Sequence, residues 1–258
     1  MTQAARTAVR GLAGQASHAG LVLSRLLDSH EDGGEDQGKC KQKLVRDAAQ
    51  ASKNAKGLYS RAYERWVNET SGHAVGRFQT TGRLAVGLGN ESPLEVGLTL
   101  HHTYGVPIVP GSAIKGVTRH YAAEVLGPRS PELQAVIATL FGSTDDCGHI
   151  GFEDAWIDPD SLTPPNSGLL PDVLTPHHPD YYTGSDPERK PTEFDSPNPV
   201  SFTSVAGIFF FAVKCDVQDE TGTKWAQFAL RLVERALADW GVGGKTRSGY
   251  GRFSRLDR

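Results

Sequence analysis

The chain has 258 residues, 38% of them hydrophobic, and a formal net charge of −3, so it can bury one large or two small cores and cannot bind a polyanion through total charge. Its three cysteines, Cys40, Cys147 and Cys215, are widely spaced and never form C-x-x-C, which excludes a zinc knuckle and a disulfide framework and points to a reduced, cytoplasmic chain. No apolar run reaches the length of about 18 residues that a membrane span needs, and the N-terminus lacks the continuous apolar stretch of a signal peptide.

Residues 1 to about 70 read as a helical segment. An early helix near residues 8–27 is followed by an acidic loop around Gly33-Gly34. In the basic segment 39–65, Leu44, Ala48, Ala51, Ala55, Leu58 and Ala62 fall on one stripe, with Tyr59, Tyr63 and Trp66 beside it. Its cations read as a solvated face.

From residue 75 the period changes to two. Leu84, Val86 and Leu88 alternate, as do Leu94, Val96, Leu98 and Leu100, which predicts a hairpin of half-buried strands. Val106-Pro107-Ile108-Val109 is a short apolar piece closed by Pro110-Gly111. Ser112 is the expected cap of a helix running to Leu126, and Gly127-Pro128 stops it. A second helix runs from a Ser130 cap, with Pro131 in its first position, to Gly142. Residues 149–157 return to strand.

Residues 158–199 hold most of the chain's prolines and little periodicity. They are expected to be a long insertion, ordered only by contact with a ligand or neighbour. Residues 205–217 predict one apolar strand containing Phe209-Phe210-Phe211, where three adjacent aromatics read as core on both faces. The apolar spacing Trp225, Phe228, Ala229, Leu232, Val233, Ala236, Leu237 predicts a long amphipathic helix ending near Trp240. The order from residue 75 is β, α, β, β, α, β, an α+β layout of the ferredoxin-like (RRM-like) kind, in a domain covering 71–258.

Residues 241–253 hold five glycines, three cations and two aromatics. Glycine lets backbone approach a ligand, and Lys and Arg donate to phosphate. Gly244-Lys245-Thr246 matches the end of a P-loop, but residue 239 is Asp239 where that motif needs glycine, and the helix precedes the loop instead of following it. The alternative is a glycine-capped helix-to-strand turn. It accounts for Gly241 better than for Lys245, Arg247, Arg252 and Arg255.

Three segments together resemble the RAMP superfamily of CRISPR-associated proteins. They are Pro110-Gly111-Ser112-Ala113-Ile114-Lys115-Gly116, the pair Phe141-Gly142-Ser143 and Gly148-His149-Ile150-Gly151-Phe152-Glu153-Asp154-Ala155, and Gly243-Gly244-Lys245-Thr246-Arg247-Ser248-Gly249-Tyr250-Gly251. Ala113 stands where the family carries a second serine. Residues 172–182 and 199–202 are similar to Cmr subunits of type III-B effector complexes. The resemblance implies a subunit that binds guide CRISPR RNA near its 3′ portion, meets target RNA and other Cmr RAMP subunits, and caps a filament in antiviral defence. It implies no cofactor. Related subunits cut RNA with an aspartate in an early loop; residues 87–95 occupy that region here and contain none. The implied role is therefore non-catalytic. The competing readings are a metal-dependent endoribonuclease using Glu91, Glu95 or a histidine, and a protein-only adaptor.

The expected RNA-binding residues are Gly111, Ser112, Lys115 and Arg119 at the start of the first domain helix, and Gly243, Gly244, Lys245, Thr246, Arg247, Gly249 and Tyr250 in the terminal loop. Gly111-Ser112 would offer free N–H groups at a helix N-terminus. Lys115 and Arg119 lie one turn apart. Phosphate contacts of this kind hold RNA with little base discrimination.

Other constellations have plainer readings. His101-His102 and His177-His178, with Asp172 or Asp180, suggest a metal, but neighbouring histidines on a strand face opposite ways and loop packing is the simpler role. Cys147 and His149 would need a positioned base to act as a nucleophile pair. Glu153 and Asp154 occupy successive strand positions and do not form a facing pair; Asp154 is expected to accept hydrogen bonds near the Gly111 turn.

Overall fold

A computed structural model describes residues 13–27, 35–94, 96–163, 168–175, 190, 192–193 and 199–256. Three helices come first: α1 (Ala19–Arg25), α2 (Glu35–Asn54) and α3 (Lys56–Glu69). The acidic loop around Gly33-Gly34 lies outside the described residues. Leu44, Ala48, Ala51, Ala55 and Ala62 are buried as their spacing requires, but Leu58 is 68% exposed. The helix restarts at Lys56, and Tyr59, whose N–H donates to Ala55 O at 2.9 Å, takes the inward position.

The main sheet contains β1 (Ala74–Thr80), β2 (Ile108–Val109), β3 (Ile150–Phe152), β4 (Ala155–Ile157), β7 (Ile208–Cys215) and β8 (Phe253–Arg255). Its strand order is β2–β4–β7–β1–β8, with β3 also on β7, and all these pairs are antiparallel. The register sets Phe78 opposite Phe209. Residues 149–157 thus form two strands, because the chain breaks at Glu153-Asp154 where both carboxylates turn to partners.

Helices α4 (Gly111–Val125), α5 (Pro131–Phe141) and α6 (Glu220–Asp239) join these strands. Ser130 caps α5 as expected, accepting the Leu133 N–H at 3.2 Å. Ser112 does not cap α4. Pro110 is the cap residue, its carbonyl accepting from Ala113 and Ile114, and Ser112 is exposed in the first turn. Helix α6 buries Leu230, Val233 and Leu237 against the sheet, where Phe78, Phe209, Phe211 and Phe253 pack edge to face.

The hairpin expected from residues 84–100 is not a regular ladder. Thr99 N–H donates to Val86 O and Gly97 N–H to Leu88 O, but no strand forms. The alternation records burial instead: Leu84, Val86 and Leu94 are buried. The strand expected at 205–217 is also two strands. At Gly207 the chain leaves the main sheet, its N–H donating to Thr80 Oγ1, and β6 (Val200–Ala206) pairs with β5 (Gly168–Leu174) in a second, two-stranded sheet. Residues 158–199 are therefore not wholly irregular. Pro159–Leu162 form a 3-10 turn, and β5 tolerates Pro171 because it is an edge strand. Most of the remaining insertion lies outside the described residues. The whole is a mixed α/β protein with antiparallel sheets.

Candidate nucleic-acid interface

The glycine-rich loop has a locked base and an open tip. At the base, Val242 N–H donates to Gly251 O at 2.9 Å, Gly251 N–H to Arg83 O at 2.7 Å, and Gly244 N–H to Ala85 O at 2.8 Å. A side chain at Gly243 would meet Ala85 O, and one at Gly244 would meet the Leu88 side chain. These glycines are thus explained by packing on residues 83–88. At the tip, Thr246–Ser248 form a 3-10 turn entered through Lys245, which has φ of 56° and is the only non-glycine with positive φ among the described residues. Lys245, Arg247, Ser248 and Gly249 are exposed. Neither Lys245 nor Arg247 has an ion-pair partner among the described residues.

The other two cations near the loop are structural. Arg252 donates to Ala238 O at 3.2 Å, where a cation complements the carbonyl end of α6. Arg255 pairs with Glu234 at 3.0 Å. Tyr250 donates its hydroxyl to Asp172 Oδ2 at 2.9 Å, and burial together with that bond raises its pKa. That hydroxyl ties the loop to β5 and is already engaged.

Gly111 is equally occupied. Its N–H donates to Asp154 Oδ1 at 2.8 Å, as expected for Asp154, so the Gly111 N–H is taken by a carboxylate of the chain's own. A side chain at Gly111 would overlap the Phe152 carbonyl. Ser112 and Arg119 are exposed and Lys115 is half-buried. At about 100° per residue, Lys115 and Arg119 share one side of α4. The side that meets the loop is another one: Ala113, Val117 and His120 line a cleft of about 570 Å3 together with Trp240, Gly243, Thr246 and Arg247. The structure brings Arg247 to α4 but does not bring Lys115 and Arg119 into that cleft. Sequence reading missed Trp240 and His120 as cleft residues. Their rings lie 5.1 Å apart, and Trp240 was legible only as the last member of a helix stripe.

The sheet face opposite α6 is covered. Trp66 of α3 stacks on Trp156 at 5.1 Å and 2° and meets Phe210 edge-on at 5.2 Å; Tyr63 also meets Phe210. Phe209, Phe210 and Phe211 are core on both faces. The terminal loop therefore does not border an open, base-stacking sheet at β4 and β7. Buried Tyr59 donates to Ile157 O at 2.6 Å, and desolvation drives its pKa far up.

The remaining candidates resolve locally. His101 and His102 lie in a turn, not on a strand, so both line a cavity with His18 and Glu91. His18 uses both ring nitrogens, accepting from Leu21 N–H and bonding His102 O. His101 Nδ1 accepts Thr103 N–H, and burial lowers its pKa. No group of three or more His, Cys, Asp or Glu suited to a metal occurs among the described residues. Glu95, His177, His178 and Asp180 lie outside them. His149 pairs with Asp216 at 2.8 Å, Glu153 with Lys214 at 2.6 Å, and Lys56 with Asp160 at 2.9 Å. No helix among the described residues is long and apolar enough to cross a membrane.

The signature of the RAMP superfamily spans residues 77–254, and the chain belongs to that superfamily. Among curated proteins it is similar to the CRISPR system Cmr subunit Cmr6 of Pyrococcus furiosus, 30% identical over 76% of this chain and 72% of that protein. It is also similar to the CRISPR system CMR subunit Cmr6 of Saccharolobus solfataricus, 32% identical over 37% of this chain and 30% of that one. A chain of a type III-B Cmr-beta assembly bound to cognate target RNA, solved by cryo-electron microscopy, shares the fold at a TM-score of 0.61 and 21% identity, covering 98% of this chain and 90% of its own.

Proposed function

We propose that the chain is a non-catalytic subunit of a type III-B CRISPR effector complex, holding the guide RNA backbone near its 3′ portion and capping a filament of other RAMP subunits. Similarity to two Cmr6 proteins supports the assembly. The observation that carries RNA binding is the loop tip, where exposed Lys245 and Arg247 have no ion-pair partner among the described residues, on a turn whose base is bonded to residues 83–85. Two unpaired cations on a preorganised backbone can take phosphates without first breaking an ion pair. Lys115 and Arg119 would form a second contact further along the strand.

The strand order β4–β7–β1–β8, with α4 after β1 and α6 between β7 and β8, supports a ferredoxin-like reading of residues 71–258. Residues 1–70 form the added helical segment and the proline-rich stretch is an insertion. A cytoplasmic location follows from the same reading.

The test is the salt dependence of RNA binding. Lys245→Ala with Arg247→Ala should lower the slope of log affinity against log salt by about 0.7 for each lost contact to single-stranded RNA, uniformly across sequences. An unchanged slope removes the loop from the RNA site. For the non-catalytic role, labelled RNA incubated with the purified chain and Mg2+ should stay intact; cleavage abolished by Glu91→Ala would establish an enzyme instead.

A further inference from the structure

We infer that the cleft between α4 and the glycine loop holds one unstacked base of the bound RNA, with its ring against Trp240 and its phosphates toward Arg247. This rests on the phosphate-binding reading of the loop and adds a site for the base. The cleft of about 570 Å3 falls within the range of small-ligand pockets. Ala113 and Val117, one turn apart on α4, offer a short apolar surface. Trp240 and His120 present rings 5.1 Å apart and tilted by 55°. Tyr121 braces Trp240 edge-on at 5.1 Å. A base has a π-face whatever its identity, so such rings hold it by stacking.

The charges around the cleft are arranged to match. Arg247 reaches it from the exposed loop tip and has no ion-pair partner among the described residues. Arg252 also lines it, but is held at the end of α6 by the Ala238 carbonyl. Asp239, the acid in the lining, accepts the Tyr121 hydroxyl at 2.6 Å. The carboxylate keeps its charge, and the two arginines of the lining outnumber it. With Asp239 and Arg252 bonded within the protein and Arg247 turned to the phosphates, Thr246 and His120 are the polar side chains of the lining left to meet a base edge, so the site should accept any base. Stacking rings with an unpaired cation favour a nucleotide over a peptide.

The experiment compares short oligouridine with the same backbone made abasic, binding the full-length chain and its assembled complex. The wild type should bind the abasic strand about tenfold more weakly. That gap should shrink in Trp240→Leu, which keeps apolar bulk, and in His120→Ala, an exposed change that leaves folding intact if the tryptophan variant does not fold. Neither variant should alter the salt slope, because stacking releases no counterions. Equal binding of both strands by the wild type overturns the inference, and so does a gap that both variants leave unchanged. If the double alanine variant lowers the slope but no abasic gap exists, only the base site is lost. If that slope is unchanged, the phosphate reading fails first. Normal RNA binding by Trp240→Leu with impaired joining to neighbouring subunits would assign the cleft to a protein partner and overturn the base site.

Discussion

Replacing Gly251 and Gly249 separately by alanine tests whether the terminal loop is a locked base carrying an open tip. Both positions have positive φ, 72° at Gly251 and 86° at Gly249, so alanine at either costs about 1–2 kcal/mol in backbone strain. The surroundings then differ. A Cβ at Gly249 meets nothing within 4 Å, whereas one at Gly251 would overlap the Val242 carbonyl. Relieving that overlap disturbs the Val242 N–H to Gly251 O and Gly251 N–H to Arg83 O bonds, each worth about 1 kcal/mol net. Gly251→Ala should therefore destabilise by roughly 2 kcal/mol more than Gly249→Ala. For a chain of this size that is a gap in Tm of about 4–8 °C, readable by calorimetry or thermal circular dichroism. Gly249→Ala should instead weaken RNA binding, because its methyl group stands in open space on the exposed tip that carries Lys245 and Arg247. Equal losses of Tm at the two positions would refute the division into base and tip.

Two further outcomes follow from groups away from the loop. Tyr59→Phe removes a buried hydroxyl and leaves the Ile157 carbonyl unpaired, so urea denaturation should show a loss of about 1–3 kcal/mol; an unchanged midpoint would mean that water replaces the bond. His101 has its pKa lowered from 6.5 by burial, against the opposing pull of Asp154. The unfolded chain then binds more protons between the folded and unfolded values, so stability should fall as pH drops from about 6.5 through the lower folded value. His101→Gln should flatten that slope in chemical denaturation at several pH values, and an equally steep slope in the variant would assign the acid sensitivity elsewhere.

What the chain states locally could be read from it directly. The Ser130-Pro131 start of α5, the stripe of α6 and the three-aromatic core run at Phe209 all depend on short-range spacing. Period-two alternation at residues 84–100 correctly marked Leu84, Val86 and Leu94 as buried, but burial is not pairing, and only tertiary contact decides whether a ladder forms. The same limit hid β5, where prolines argued for loop until an edge position made Pro171 harmless. It also governed the site. The residues of the terminal loop were visible as a cluster, yet which cations remain unpaired depends on chain that arrives from far away. Arg252 is used by the end of α6 and Arg255 by Glu234, while Lys245 and Arg247 stand unpaired among the described residues. Likewise Trp66, read as part of an N-terminal helix, turned out to cover Phe210 and Trp156. Periodicity reports which face of an element is apolar; which other element covers that face is set by packing across the whole chain, and that alone brought Trp240 and His120 together in one cleft.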